Sequence, residues 1–478
     1  MPLFAIALAS YAFFYQAGGW NQNARFDLTR ALVERGSARI DAYAYNTGDR
    51  ACLGPDGRCV VARAGVDHYY SDKAPGVSWL ALPVYALAWS LRDGAADEAF
   101  LATSSWLATV FAIGLPSALG VVALWALLGA LALPERPRAA LCLAYAFGTL
   151  AFPYATLLYG HQLAASLALC AFALLARGRD DAEGPAPKVS LAAGLCLGGA
   201  VAVEYPAALF AGALLVYAAT RPWRDRRRAL LTLAAGGALP ILALAAYHAA
   251  HFGGPFTTAY AFSTQPHRGA GAFMGMGWPR PEALWGLSFS PHRGLFFSAP
   301  WLLLALPGWA LLWRRARAET AVCVVVAAGF AWLNVSLLDW EGGWAPGPRY
   351  LVPSLPCYAV GAAGLFLAWP QRGRRALWLV FAATALVSVL LMLTATSVKP
   401  EVAERIARPH ADFLLPRFMA GELALSTQSF DMAVAPVDAP RRAWNLGQQL
   451  GLEGLASLAP LAAIWAACLG WLSRTLRS

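Results

Sequence analysis

Tyr69-Tyr70-Ser71-Asp72-Lys73-Ala74-Pro75-Gly76 runs directly into the apolar segment Val77 to Leu91. An acid and a fixed cation thus stand side by side at the foot of an apolar run. That position is a membrane surface, where the phosphate of a lipid-borne molecule would sit. Ionisable groups are costly to keep near lipid, so the Asp72–Lys73 pair frames the functional question.

The rest of the chain supplies the membrane. It has 478 residues, 59% hydrophobic and only 13% charged, with a mean hydropathy of +0.50. A soluble domain carries about a quarter charged residues. Apolar runs of spanning length recur from Pro2 to Leu472, which marks an all-α polytopic membrane protein. The first run, Pro2 to Gly19, has no basic n-region and no small-residue cleavage site, and reads as a retained span. The net charge of +10 points to membrane orientation rather than to nucleic acid, because the Arg residues cluster in short loops between spans.

Those clusters are Arg136/Arg138, Arg177/Arg179/Lys188, Arg221 to Arg228, Arg314/Arg315/Arg317, Arg372/Arg374/Arg375 and Arg474/Arg477. Placing all of them in the cytoplasm requires an even number of spans between successive clusters. Candidate pairs fill every gap: 139–158 and 162–176, 189–204 and 205–220, 229–252 and 294–313, 319–338 and 350–369, 376–396 and 453–472. Two further spans, 2–19 and about 104–133, precede the first cluster. The expectation is about 12 transmembrane helices (11–13), with both termini cytoplasmic. The run 77–91 is then left over, and reads as a helix lying in the outer interface.

Three outer segments are long: the first extracytoplasmic loop 20–103, then 253–293 and 397–452. The organisation expected is a transmembrane domain over 1–396 that includes the first loop, an extracytoplasmic segment 397–452, and a last helix with tail over 453–478. Cytoplasmic loops are short, with no phosphate-cradling Gly-Lys-Ser motif, so chemistry faces outward. Cys52 and Cys59 bracket a strong turn, Leu-Gly-Pro-Asp-Gly-Arg, in the first loop and are a candidate hairpin disulfide. The other cysteines lie in apolar runs and read as packing residues. Ala24 to Arg35 is amphipathic, with Asn23, Asp27, Arg30 and Glu34 on one face and Gly36 ending it. It reads as a juxtamembrane helix on the membrane surface.

A first span, a polar loop with a surface helix, then Tyr-Tyr-Ser-Asp-Lys-Ala-Pro-Gly and an apolar run resembles the GT-C superfamily of membrane glycosyltransferases. Within it the chain is most similar to family 39, the group of protein O-mannosyltransferases and lipid A aminoarabinose transferases. The resemblance implies that Asp72 matches the family's second acid and Lys73 the lysine meeting the donor's phosphate. It implies a polyprenyl-phosphate sugar donor, an acceptor on a cell-envelope glycan, lipid or protein, membrane lipid as partner, and a bacterial inner membrane. Where the family has its acidic pair, this chain has Asn21-Gln22, and neutral amides cannot serve as a general base. Asp27 is the nearest carboxylate, so Asp72 and Asp27 are the catalytic candidates.

The chemistry explains the residue types. The leaving group is a phosphate, so a cation beside it stabilises developing charge, and a carboxylate deprotonates the acceptor hydroxyl. Arg293, where the chain re-enters the membrane, and Arg349, in the turn Asp339 to Tyr350, are further phosphate candidates. His161 at an outer turn, Glu341, Trp344 and Tyr350 are candidates for the sugar or phosphate site. Glu204, at the outer junction of two spans, is an ionisable group in a functional position. The chemistry admits a divalent metal without requiring one, and no ligand cluster at metal spacing stands out. The rival readings are a lipid-linked saccharide flippase, a polymerase of outer-face glycans, and a non-catalytic relative that binds a lipid phosphate.

Overall fold

The computed structural model describes residues 1–265, 275–432 and 439–477. Parts of the second and third outer segments, 266–274 and 433–438, therefore lie outside the described residues. Seven helices are long and apolar enough to cross a membrane: Glu98–Ala130, Gly160–Arg177, Arg226–Phe252, Arg317–Val335, Arg349–Ala368, Arg374–Val398 and Gly454–Thr475. Five shorter apolar helices accompany them: Pro2–Ala12, Gly76–Leu91, Pro187–Val203, Tyr205–Thr220 and Pro300–Leu312. The chain is a multi-pass, predominantly helical membrane protein.

Several expected spans are shorter or broken. Helix α1 (Pro2–Ala12) stops well before Gly19. At 1.5 Å per residue it covers about 16 Å, half the hydrocarbon thickness of a bilayer. It stops because Gln16 is drawn inward, donating to Thr156 Oγ1 and to the Thr396 carbonyl, both at 3.0 Å. Strand β1 (Phe14–Tyr15) follows and will pair with a strand near the C-terminus. The expected 139–158 helix breaks after Phe147, and the 294–313 helix breaks at Ala299-Pro300, where proline removes a donor.

Helix α2 (Trp20–Arg35) ends at Gly36, which takes the left-handed conformation at φ +61°. Contrary to the surface placement expected from its amphipathic pattern, every residue from Asn21 to Ala31 is buried. Its polar face is covered by protein rather than by water. The third outer segment returns over it: Asn23 Nδ2 donates to the Ser429 carbonyl at 3.1 Å, and Gln22 Nε2 to Glu401 Oε2 at 3.0 Å.

A small sheet in the first loop qualifies the all-helical expectation. Strands β2 (Arg50–Gly54), β3 (Gly57–Arg58) and β4 (His68–Ser71) form an antiparallel sheet in the order β3-β2-β4. The Cys52–Cys59 disulfide closes the β2–β3 turn. Arg50 opposes Ser71, so the register carries Asp49 to the level of Asp72, whose N–H donates to the Asp49 carbonyl at 3.4 Å. Strand β5 (Trp444–Asn445) pairs antiparallel with β1.

Helix α3 (Gly76–Leu91) occupies the 77–91 run that the charge pattern left without a crossing. Its first residue must be glycine, since a Cβ at Gly76 would lie 2.6 Å from the Ala202 carbonyl oxygen. Glycine thus lets the end of the Asp72–Lys73 turn press onto the C-terminal end of the Pro187–Val203 helix.

Candidate active site

The sheet and α3 together fix Lys73. Its Nζ lies 3.0 Å from Asp72 Oδ1 and 3.0 Å from Asp49 Oδ2, one acid from each side of the β2–β4 pairing. Asp72 is fully buried, and its other oxygen accepts from Ser263 Oγ at 3.0 Å. The lysine is held by its neighbours in a defined place.

A second buried pair joins α2 to the spans. Arg25 Nη2 meets Glu204 Oε1 at 2.7 Å, Arg25 Nε donates to Asn21 Oδ1 at 3.1 Å, and Nη1 reaches the Ala74 carbonyl at 3.3 Å. One guanidinium therefore ties α2, the Lys73 turn and the 204–206 junction together. His161 Nδ1 faces the same Glu204 Oε1 at 3.5 Å. Gly160 makes that approach feasible, since a Cβ at 160 would stand 2.4 Å from Glu204 Oε1.

Arg349 forms the third group. Its Nη1 donates to Tyr159 OH at 3.4 Å and Nη2 to Tyr350 OH at 3.3 Å. Tyr159 OH in turn donates to Glu401 Oε1 at 2.7 Å. Burial pushes the Glu401 carboxyl up, against the hydrogen bonds from Tyr159 and Gln22 and the charge of Lys399. Among the described residues Arg349 pairs with no carboxylate, and its Nε has no hydrogen-bond partner.

These groups share one cavity of about 430 Å³. Asn21, Arg25, Lys73, His161, Glu204, Arg349 and Tyr350 line its polar end. Met276, Phe330, Leu333, Leu337 and Pro353 form an apolar wall, with Phe330 and Leu333 from the C-terminal half of the Arg317–Val335 helix. Glu204 is the one carboxylate in the lining among the described residues. The arrangement suits an anionic head joined to an apolar chain.

Of the residues singled out from the sequence, Lys73, His161, Glu204, Arg349 and Tyr350 line this cavity. Asp72 stands behind Lys73. Asp27 does not reach the cavity: it is fully buried on another face of α2, accepting from Asn46 Nδ2 at 3.0 Å. Burial pushes its carboxyl well above the usual carboxylate range, against the Asn46 hydrogen bond and the charge of Arg30. Arg293 is also elsewhere, fully buried, donating to the carbonyls of Glu341, Gly343 and His292 at 3.0, 2.8 and 3.2 Å. Burial lowers its guanidinium to about 10. Glu341 contributes its carbonyl to Arg293, and Trp344 stacks under Lys399 Nζ at 5.1 Å, both away from the cavity lining. Cys52 and Cys59 are joined, and support the sheet that carries Asp49.

The sequence did not single out Arg25 or Glu401. Arg25 follows Asn21 by one helical turn, a spacing that puts both on one face; Glu401 carried no signal beyond its place just after a span. Among the described residues no group of three or more His, Cys, Asp or Glu is set to hold a metal ion.

No protein-family model matches the sequence, and no curated protein matches it. Solved structures do. The apo oligosaccharyltransferase of Archaeoglobus fulgidus superposes with a TM-score of 0.54 at 12% identity, over 84% of this chain and 56% of that one. The same protein, AglB, in complex with an inhibitory peptide and a dolichol-phosphate gives 0.53 at 12% identity, with the same coverage. The chain has the GT-C fold. The chain spans little more than half the length of the oligosaccharyltransferase it superposes on. ArnT from Cupriavidus metallidurans bound to undecaprenyl phosphate is also similar, with a TM-score of 0.49 at 16% identity over 99% of this chain and 75% of that one. The cavity described above lies between α2, which supplies Asn21 and Arg25, and the ends of the Gly160–Arg177, Arg317–Val335 and Arg349–Ala368 helices.

Proposed function

We propose that this protein is a membrane glycosyltransferase that moves a sugar from a polyprenyl-phosphate donor to an acceptor at the extracytoplasmic face. The observation that carries the reading is the two-ended cavity. Arg349, a cation without a carboxylate partner among the described residues, lines it together with apolar residues suited to a polyprenyl chain. That the oligosaccharyltransferase of the same fold has been solved with a dolichol-phosphate supports this choice of ligand.

In this reading Arg349 is the principal phosphate ligand, with its two tyrosines fixing the plane of the fork. Lys73, held between Asp49 and Asp72, adds positive potential where the phosphate gains charge as the glycosidic bond breaks. Asp72 is then a positioning residue for Lys73, and Tyr350 borders the sugar. The acceptor belongs to the cell envelope as a glycan, lipid or protein. The protein lies in a bacterial inner membrane with both termini cytoplasmic and the cavity open to the outer side.

The test is lipid binding in nanodiscs, comparing undecaprenyl phosphate with undecaprenol, followed by transfer from a labelled polyprenyl-phosphate sugar pool. Wild-type protein is expected to bind the phosphate saturably and the alcohol at least tenfold more weakly, with Arg349→Ala removing the difference. Equal binding of the two lipids by the wild type would sink the reading.

A further inference from the structure

Transfer to a hydroxyl needs a destination for its proton, and neither carboxylate expected from the sequence supplies one. Asp72 stands behind Lys73, and Asp27 is enclosed on another face of α2. Glu204 is the one carboxylate in the cavity lining among the described residues. We propose that Glu204 is the general base of the transfer reaction proposed above, taking the acceptor's proton on Oε2. The inference rests on that reaction and names the residue within it.

The two oxygens of Glu204 are not equivalent. Oε1 accepts from Arg25 Nη2 at 2.7 Å and lies 3.5 Å from His161 Nδ1. Oε2 accepts from no donor among the described residues and is not sealed off by protein. The side chain is 12% exposed and borders the cavity. A carboxylate held through one oxygen keeps its lone pairs on the other, and these can take a proton from a hydroxyl.

The guanidinium that holds Oε1 is itself anchored. Arg25 Nε donates to Asn21 Oδ1 at 3.1 Å and Nη1 to the Ala74 carbonyl at 3.3 Å, so the carboxylate is aimed rather than free. Other polar groups of the lining do not replace it. Arg25, Lys73 and Arg349, as cations, have no lone pair to offer, and Asn21 is an amide. His161 has its Nε2 enclosed and its Nδ1 beside Glu204.

The base and the phosphate cation also stand apart along the cavity wall. The ring centroid of His161, the neighbour of Glu204, lies 5.7 Å from that of Tyr350, whose hydroxyl accepts from Arg349 Nη2 at 3.3 Å. An imidazole and a phenol thus separate Glu204 from Arg349. An acceptor that attacks opposite the leaving phosphate needs such a separation, with the sugar between.

The step balances without another reagent. The acceptor O–H proton passes to Glu204 Oε2 as the acceptor oxygen bonds to the anomeric carbon. The bond from that carbon to the phosphate oxygen breaks, and its electron pair leaves with the polyprenyl phosphate beside Arg349. The protonated Glu204 then releases its proton to water.

The experiment uses the full-length protein in nanodiscs. Undecaprenyl phosphate binding tests the donor reading alone. Transfer is measured from the labelled polyprenyl-phosphate sugar pool, with either a cell-envelope extract or sodium azide as acceptor. Azide is already an anion and attacks the anomeric carbon without a base. Glu204→Gln keeps an oxygen for Arg25 and removes the base. It is expected to bind the lipid within about threefold of wild type and to lose transfer to the extract about a hundredfold or more, the range of general base catalysis. Sugar azide should form at the wild-type rate or faster. A purely structural role for the Arg25–Glu204 pair would lower both products together, and that result overturns the proposal. Wild-type transfer to the extract by Glu204→Gln overturns it too, as does loss of lipid binding in this variant. A selective loss of extract transfer in His161→Gln, with azide transfer kept, would move the base to the ring. If wild-type protein does not bind the lipid, the donor reading falls and takes the base with it. Should Glu204→Gln fail to fold, Glu204→Asp keeps the charge on Arg25 and retracts the base by one methylene. Its extract transfer should fall about tenfold or more with azide transfer kept, and unchanged extract transfer overturns the proposal.

Discussion

Arg25 and Glu204, 179 residues apart in sequence, meet at 2.7 Å with side chains that are 2% and 12% exposed. This pair connects the first-loop helix to the membrane domain beside the cavity. Removing one partner leaves the other charge buried, which typically costs about 3–5 kcal/mol. Arg25→Met should therefore lower the melting temperature sharply in detergent. Arg25→Met with Glu204→Gln should recover a large part of that loss. An additive double variant would show that the two residues do not interact.

Asp72 holds Lys73 from one side and Asp49 from the other, both at 3.0 Å. Asp72→Asn should leave Lys73 paired but less firmly placed. Transfer is expected to fall by about a hundredfold, the effect of a displacement near 1 Å, and not to zero. Lys73→Met should be worse. Steady-state rates of the two variants, with melting curves alongside, check the order. Complete loss in Asp72→Asn with unchanged lipid binding would return the base role to Asp72.

Asp27 gives a pH signature. Burial raises its folded-state pKa above the unfolded value of about 4, so the folded protein binds more protons than the unfolded chain in that interval. Its contribution to stability is present below pH 4 and is lost as pH rises through the raised pKa. Asp27→Asn keeps an oxygen for Asn46 and removes this dependence. The melting temperature of the variant should gain on wild type between pH 4.5 and 7.5, with transfer retained. A difference that stays flat across that interval would count against the assignment.

Arg293 stabilises the 339–347 turn through two of its carbonyls, Glu341 and Gly343, and holds the neighbouring His292 carbonyl with a third bond. Hydrogen bonds from charged donors contribute about 1.5–3 kcal/mol each. Arg293→Met should destabilise the protein by about 3 kcal/mol or more, read as a melting shift. Folded Arg293→Met at reduced temperature should still bind undecaprenyl phosphate within about threefold of wild type. A tenfold loss of affinity would place Arg293 in the phosphate site after all.

Local patterns were the most legible. The 77–91 helix, the Cys52–Cys59 hairpin and the glycine stop at Gly36 each depend on a few consecutive residues, and each is found in the structure. Arg349, His161 and Lys73 were picked out one by one, because charge or a ring at an outer turn is visible in a line of sequence. Their convergence was not visible, since it needs Gly76 against Ala202 and Gly160 against Glu204. Asp27 misled for a related reason: amphipathic spacing separates two faces of a helix but does not say whether protein or water covers the polar one. Arg293 misled because three carbonyls can occupy a guanidinium as well as a phosphate can.

The return of the third outer segment over the first loop has a consequence for biogenesis. Asn23 meets the Ser429 carbonyl across 406 residues, Asn46 meets Phe430 across 384, and Gln22 meets Glu401 across 379. Synthesis and insertion proceed from the N-terminus, so these side-chain amides lack their partners until about nine-tenths of the chain has emerged. Contacts so distant in sequence form late and slowly, because closing long loops costs entropy before any contact compensates for it. The first loop must therefore wait, partly assembled, at the membrane surface while the later helices insert.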